Sequence, residues 1–253
     1  MRVLVTGAAG WTAKAIIEAL VEAKHQVIGF DLPEAPLQAD EALFEAFHTG
    51  TVADYARVLA VMRDCDAIVH LAVAIGGGYD TPKIPFDVNV RGTANVLAAA
   101  RHHEIKRIII MSSAPVHLNI GRKIYAVIDR LQSSEGDFLY DMTKCLQEDI
   151  ARYYGQTFGL DVLTLRAGHI VDGRADVDPK GRPLADVLYA RGGWVCRYDL
   201  ADAVVHALNY ELNGYDAFHI IGAKEAEQHF DIARTEVIFG FVPATQFEAY
   251  PAE

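Results

Sequence analysis

The chain has 253 residues, 51% of them hydrophobic, and a formal charge of -11 at neutral pH. This supplies a buried core for one domain, or for one domain with a small appended lobe. The acidic balance, with no lysine/arginine run, excludes nucleic acid or an anionic membrane surface as the main partner, and no apolar stretch reaches bilayer-spanning length. Three cysteines (Cys65, Cys145, Cys196) lie far apart without a CxxC pair. That excludes a disulfide framework and a cysteine zinc site, and it points to a reducing cytoplasm.

Arg2 to Thr6 reads as a short buried strand whose apolar run meets Gly7 before it reaches signal-sequence length. Ala13 to Ala23 has helical spacing, with Ile16, Ile17, Leu20 and Val21 on one side. Strands are predicted at Gln26 to Phe30, ending at Asp31, and at Phe44 to His48, then a helix at Tyr55 to Arg63. A strand at Ala67 to Leu71, a long helix at Phe86 to Arg101 and a strand at Arg107 to Met111 follow. Tyr140 to Phe158 is helical and Val162 to Arg166 is a strand. Continuously apolar strands alternating with helices are covered on both faces, which predicts an α/β fold with a doubly wound parallel sheet.

Beyond Arg166 the rhythm changes. A loop of Gly, Asp, Pro and Arg (Ala167 to Pro183) precedes a helix at Leu200 to Tyr210, a strand at Phe218 to Ile221 and a helix near Asp231 to Phe239. Residues 1–166 are therefore expected to form a dinucleotide-binding domain, and 167–253 a small C-terminal substrate lobe integrated with it.

The stretch "VTGAAGWTA" (residues 5–13) places Gly7 and Gly10 between a strand and a helix. Such a turn exposes backbone N–H groups at the positive end of the helix dipole, and both attract a pyrophosphate. Ala13 stands where a third glycine is usual, a position that mainly needs a small side chain for helix–strand packing. Alone, the pattern also fits any glycine-rich turn. Asp31, at the end of the second strand, strengthens it: a carboxylate there meets the adenosine ribose hydroxyls and repels a 2′-phosphate, and Leu32-Pro33-Glu34 offers no cation. The expected cofactor is NAD.

"YDMTK" sets Tyr140 and Lys144 four apart on one helical face. An ammonium beside a phenol favours the phenolate, which then takes a proton from an alcohol while hydride leaves its carbon. The pair occurs by chance in many helices. Its position after the strand ending in "MSSAP" adds Ser113 as a partner for the reacting oxygen.

These motifs, in this order, resemble the extended short-chain dehydrogenase/reductases, the NAD-dependent epimerase/dehydratase group, over nearly the whole chain. The resemblance implies a Rossmann-like fold. It places Trp11 and Thr12 of the loop against the pyrophosphate. "TVADYARV" is similar to the segment whose acid, Asp54, contacts adenine, with Tyr55 beside it. "DAIVHLAV" is similar to the fourth strand, whose end (Leu71, Ala72, Val73) borders the cofactor, and "VNVRGTANVLAAA" carries Asn89 at the structural asparagine. Met111 and Ala167 lie at the cofactor-facing ends of two further strands. By the same resemblance Ser113, Tyr140 and Lys144 are catalytic, with Lys144 also on the nicotinamide ribose, and two helices (Phe86 to Arg101, Tyr140 to Phe158) build a homodimer.

Departures narrow the implied chemistry. Dehydratases of the group carry an Asp-Glu pair where this chain has Ala114-Pro115, so dehydration is not expected. Nucleotide-sugar epimerases have a larger C-terminal lobe, which favours a smaller substrate here. "GGWVCRYDLADAVVHAL" and "FHIIGAKEAEQHFDIARTEVIFGFVP" most resemble the compact uronate dehydrogenase-like branch. Relative to that branch, Ala114 replaces a polar residue and His169 a serine. His169 is a substrate hydrogen-bonding group or a packed loop histidine. Arg174 or Arg191 supplies a guanidinium fork for a substrate carboxylate, or each is an exposed loop charge. The expected activity is NAD-dependent hydride removal from a sugar-like or sugar-acid hydroxyl carbon, with Tyr140 as general base. A sugar epimerase using the same residues and a non-catalytic NAD sensor are the rivals. No metal site is expected; the Gly76-Gly77-Gly78 run reads as a flexible loop and the His102-His103 pair as a solvated helix end.

Overall fold

Short runs rich in valine and isoleucine build a seven-stranded sheet in the order β3-β2-β1-β4-β5-β6-β9. The structure, a computed structural model, describes residues 1–75, 82–114, 138–187, 193–223, 226–227 and 230–250. The strands are β1 (Arg2–Thr6), β2 (Gln26–Asp31), β3 (Phe44–Thr49), β4 (Ala67–His70), β5 (Arg107–Ser113), β6 (Asp161–Ala167) and β9 (Tyr215–Ile220), and every pairing is parallel. The strand order reverses between β1 and β4, which opens a crevice at their carboxyl ends.

Among the described residues five main helices cover the sheet: α1 (Trp11–Glu22), α2 (Tyr55–Val61), α3 (Thr93–His102), α4 (Phe138–Phe158) and α5 (Arg197–Asn209). Alternate residues of β1 explain the two layers. Val3 and Val5 pack with Ile16 and Leu20 of α1 and Leu200 and Val204 of α5, whereas Leu4 packs with Val58, Val96 and Ala151 of α2, α3 and α4. The β1 core residues Val3, Leu4 and Val5 are fully buried, so both faces of the sheet contribute hydrophobic stabilisation.

Several features depart from the sequence reading. α1 begins at Trp11 and β5 extends to Ser113. The long helix opens with π-helical turns over Phe86–Gly92 before α3 proper. The stretch read as loop after residue 167 holds β7 (His169–Val171), which pairs in parallel with β8 (Trp194–Cys196). The last strand is longer than expected and lies in the main sheet beside β6, while the helix near residue 231 is one turn, Ile232–Arg234, followed by π-helical Thr235–Phe239. Residues 167–253 thus return to the sheet as well as covering its carboxyl end. Among the described residues no helix is long and apolar enough to cross a membrane.

Candidate active site

A cleft of about 730 Å³ lies at the carboxyl end of the sheet. Its first wall is the turn after β1. Gly7 has φ +73°, and a Cβ there would lie 2.7 Å from the Ala72 nitrogen, so only glycine fits both backbone and space. Gly10 caps α1 without any side-chain hydrogen bond. The first-turn amides of α1 therefore keep their donors for an anion. Trp11 and Thr12 line the same wall.

Asp31 braces this turn. Its carboxylate accepts from the Ala9 N–H at 2.8 Å and from its own neighbour Leu32 N–H at 2.7 Å. Leu71 and Val73 after β4, Met111 and Ser113 at the end of β5, Ala114 beyond it, and Ala167 at the end of β6 form the floor. Tyr140 and Lys144 reach the cleft from the first turns of α4. The loop, the two strand ends and the helix thus bring together the residues read as one catalytic group.

Lys144 is 2% exposed. Its Nζ donates to the Met111 carbonyl at 2.6 Å and to Gln147 Oε1. Burial pushes its pKa down to about 7, with Glu148 opposing. Its third donor has no partner among the described residues, which leaves it for a ligand hydroxyl. Ser112 and Ser113 point to opposite faces of β5. Ser112 Oγ donates to Glu148 Oε1 at 2.5 Å, whereas Ser113 has no hydrogen-bond partner among the described residues and lines the cleft. Glu148 is in turn held by the Arg166 fork, Nε at 3.0 Å and Nη2 at 2.8 Å.

Other predicted residues lie apart from the lining. Asp54 is exposed and caps α2, accepting from Arg57 N–H at 3.2 Å; Tyr55 beside it is exposed. Ala72 sits behind Gly7. Asn89 is fully buried: Oδ1 accepts from Ala74 N–H at 2.8 Å, and Nδ2 donates to Ala74 O and to Thr143 Oγ1. It supports the cleft from behind rather than lining it. His169 lines the cleft from β7. Arg174 is exposed and stacks on Tyr198, 3.7 Å from the ring centre, away from the cleft. Arg191 and Gly76-Gly77-Gly78 lie outside the described residues. Burial pushes the Cys145 thiol up to about 12, which disfavours the thiolate. His103 Nε2 donates to the Leu59 carbonyl at 2.8 Å, joining α3 to α2. Among the described residues no group of three His, Cys, Asp or Glu side chains is placed to hold a metal.

The sequence reading missed Ile75, Pro179, Gly193 and Phe230, which also line the cleft. It also missed His70 and Gln147 beneath the floor. A histidine inside the apolar run of β4 was the available signal for the first.

A doubly wound parallel sheet with an uncapped helix at its switch point defines a dinucleotide-binding protein. The chain belongs to the NAD dependent epimerase/dehydratase family, whose model matches residues 3–190; these are enzymes, and NAD is the cofactor on which the family depends. The cleft fits that cofactor, because Gly7 leaves no side chain at the turn and the α1 amides carry no internal cap. A uronate dehydrogenase of Pseudomonas syringae pv. tomato is 32% identical over 173 residues, covering 66% of this chain and 58% of that protein. The L-arabinose 1-dehydrogenase (NAD(P)+) of Haloferax volcanii is 24% identical over 266 residues, 96% of each chain. A solved structure of a mutated uronate dehydrogenase superposes with a TM-score of 0.72 at 26% identity, covering 96% of this chain and 81% of that one. The match spans about three-fifths of the length of the uronate dehydrogenases.

Proposed function

We propose that this protein is an NAD-dependent dehydrogenase that oxidises a hydroxyl carbon of a sugar or sugar acid. The carrying observation is that Ser113, Tyr140 and the buried Lys144 line the same cleft as the uncapped start of α1. The uronate dehydrogenase relatives support the sugar-acid substrate.

NAD, when bound, would supply the acceptor for the hydride that leaves the alcohol carbon. The α1 amides at Trp11 and Thr12 would hold its pyrophosphate, Asp31 the adenosine ribose, and Asp54 and Tyr55 the adenine side. Lys144 would use its remaining donor on the nicotinamide ribose, between Val73 and Ala167. Ser113 orients the substrate hydroxyl. Tyr140 takes that hydroxyl's proton as the C–H bond breaks and the carbonyl forms, and the Lys144 ammonium favours the phenolate that does so. His169 faces the substrate end of the cleft. Arg191 is the candidate for a substrate carboxylate, since Arg174 is committed to Tyr198.

The test is a set of hexuronic acids and aldoses incubated with the protein and free NAD, read by NADH absorbance. Net NADH formation on one of them supports the reading. Interconversion of epimers with no net NADH would make the protein an epimerase, and NAD binding with neither outcome would make it a sensor. A cytoplasmic homodimer, joined through α3 and α4, completes the proposal.

A further inference from the structure

A chain of buried hydrogen bonds runs beneath the cleft floor, from Lys144 to the residue that precedes Gly7. Lys144 Nζ donates to Gln147 Oε1. Gln147 Nε2 donates to Thr93 Oγ1 at 2.8 Å. His70 Nε2 lies 3.1 Å from that same Thr93 oxygen, and His70 Nδ1 lies 2.7 Å from Thr6 Oγ1. Thr6, His70 and Thr93 are 0% exposed, and Gln147 is 1%. Water is shut out, so these groups must satisfy one another.

The donor count leaves one arrangement. Lysine only donates, so the Gln147 oxygen faces it and the Gln147 amide faces Thr93. Thr93 spends its single proton on the Asn89 carbonyl at 2.8 Å. Its oxygen therefore accepts from His70, which puts the ring proton on Nε2. Nδ1 is then an acceptor, filled by the Thr6 hydroxyl, whose oxygen in turn takes the Ala72 N–H at 3.4 Å. A doubly protonated ring would leave the Thr6 proton without this acceptor. Burial, together with the Lys144 charge, pushes His70 down to about 3, in keeping with a neutral ring.

We propose that His70, held as the neutral Nε2–H tautomer, is a positioning residue that fixes Lys144 through Thr93 and Gln147 and ties it through Thr6 to the turn at Gly7. This rests on the reading of Lys144 and Tyr140 as catalytic. The turn at Gly7 and Lys144 are thereby joined through one polar chain that runs across β1, β4, α3 and α4. Displacing the lysine by a fraction of an ångström moves the charge that favours the Tyr140 phenolate, so the effect falls on the chemical step rather than on substrate binding.

The test has a kinetic arm and a spectroscopic arm. His70→Phe and Gln147→Leu should each lower kcat by about 10- to 100-fold, with KM for the sugar substrate nearly unchanged. The double variant should lose no more than the worse single one, because both cut the same chain. Fully additive losses, or a folded His70→Phe with wild-type kcat, would overturn the proposal. In wild-type protein labelled with 15N-histidine, His70 should show Nε2 protonated and Nδ1 bare from about pH 5 to about pH 8. The opposite tautomer, or titration within that range, would overturn it even if no variant folds. Tyr140→Phe is the control: turnover surviving there defeats the catalytic reading itself, whereas an inactive Tyr140→Phe beside an active His70→Phe defeats this inference alone.

Discussion

Lys144 carries the clearest pH signature of any residue in the cleft. Its pKa is near 10.5 in the unfolded chain and about 7 in the folded protein. Between those values the unfolded chain holds a proton that the folded one has lost, so stability rises with pH across that window. Below about 7 both forms are charged and the folded state bears the whole desolvation cost. The melting temperature of cofactor-free wild type, taken relative to Lys144→Met, should therefore climb from pH 7 toward 10; a level difference would show that the lysine is not buried as a cation. Tyr140 invites a simpler measurement. Tyr140→Phe should lower kcat by about 10²- to 10⁴-fold, the range of a general acid or base, with NAD affinity nearly intact in a direct titration. The Asp31 carboxylate braces Ala9, and under the proposed function it would also hold the adenosine ribose. Asp31→Ala should weaken NAD binding and narrow the preference over NADP, measured as dissociation constants for the two nucleotides. Equal affinities in the wild type would remove the ribose argument.

Helix α4 and strands β5 and β6 are locked together by Glu148, which is almost fully buried between Arg166, Ser112 and the Tyr215 hydroxyl. Arg166→Met would leave that carboxylate without its cation, a change that costs about 3–5 kcal/mol. Urea unfolding should show it, and Arg166→Met combined with Glu148→Gln should recover part of the loss; no recovery would mean that the arginine acts through packing. Legibility at this scale follows from burial. Strands β1, β4, β5 and β6 are covered on both faces, so they read as largely apolar runs, and their ends locate Gly7, Ser113 and Ala167. Strands β7 and β8 have three residues each, too few for any period to register. The π-helical turns over Phe86–Gly92 leave no mark in the spacing of apolar residues. Glu148 and Arg166 read as ordinary charges, because their pairing depends on a helix and a strand that meet only in three dimensions. That Tyr140, Lys144 and Ser113 share one cleft was readable for the opposite reason: it rests on residue type and on a fixed order of elements.

At the scale of the whole molecule, the cleft occupies the carboxyl end of the sheet, and the outer face of α4 turns away from the core. That face carries Tyr153, 58% exposed, edge-on to Tyr154 and to Phe158, with the Arg101 guanidinium 3.9 Å over the Phe158 ring. Aromatic side chains and arginine are the types that concentrate at protein interfaces and dominate their energetics. In a dimer built on this face by a two-fold axis, the Tyr153 of each copy would be covered by the other, since such interfaces use the same patch on both subunits. On that proposal the protein should sediment as a dimer at micromolar concentration, and Tyr153→Glu, which would bury an unpaired carboxylate in the interface, should shift it to monomer. Tyr153 lies nine residues along α4 from Lys144, about 13 Å of helix rise, so kcat per subunit should persist in the separated form. A wild-type protein that sediments as a monomer, or a Tyr153→Glu variant that stays dimeric, would place the interface elsewhere or remove it.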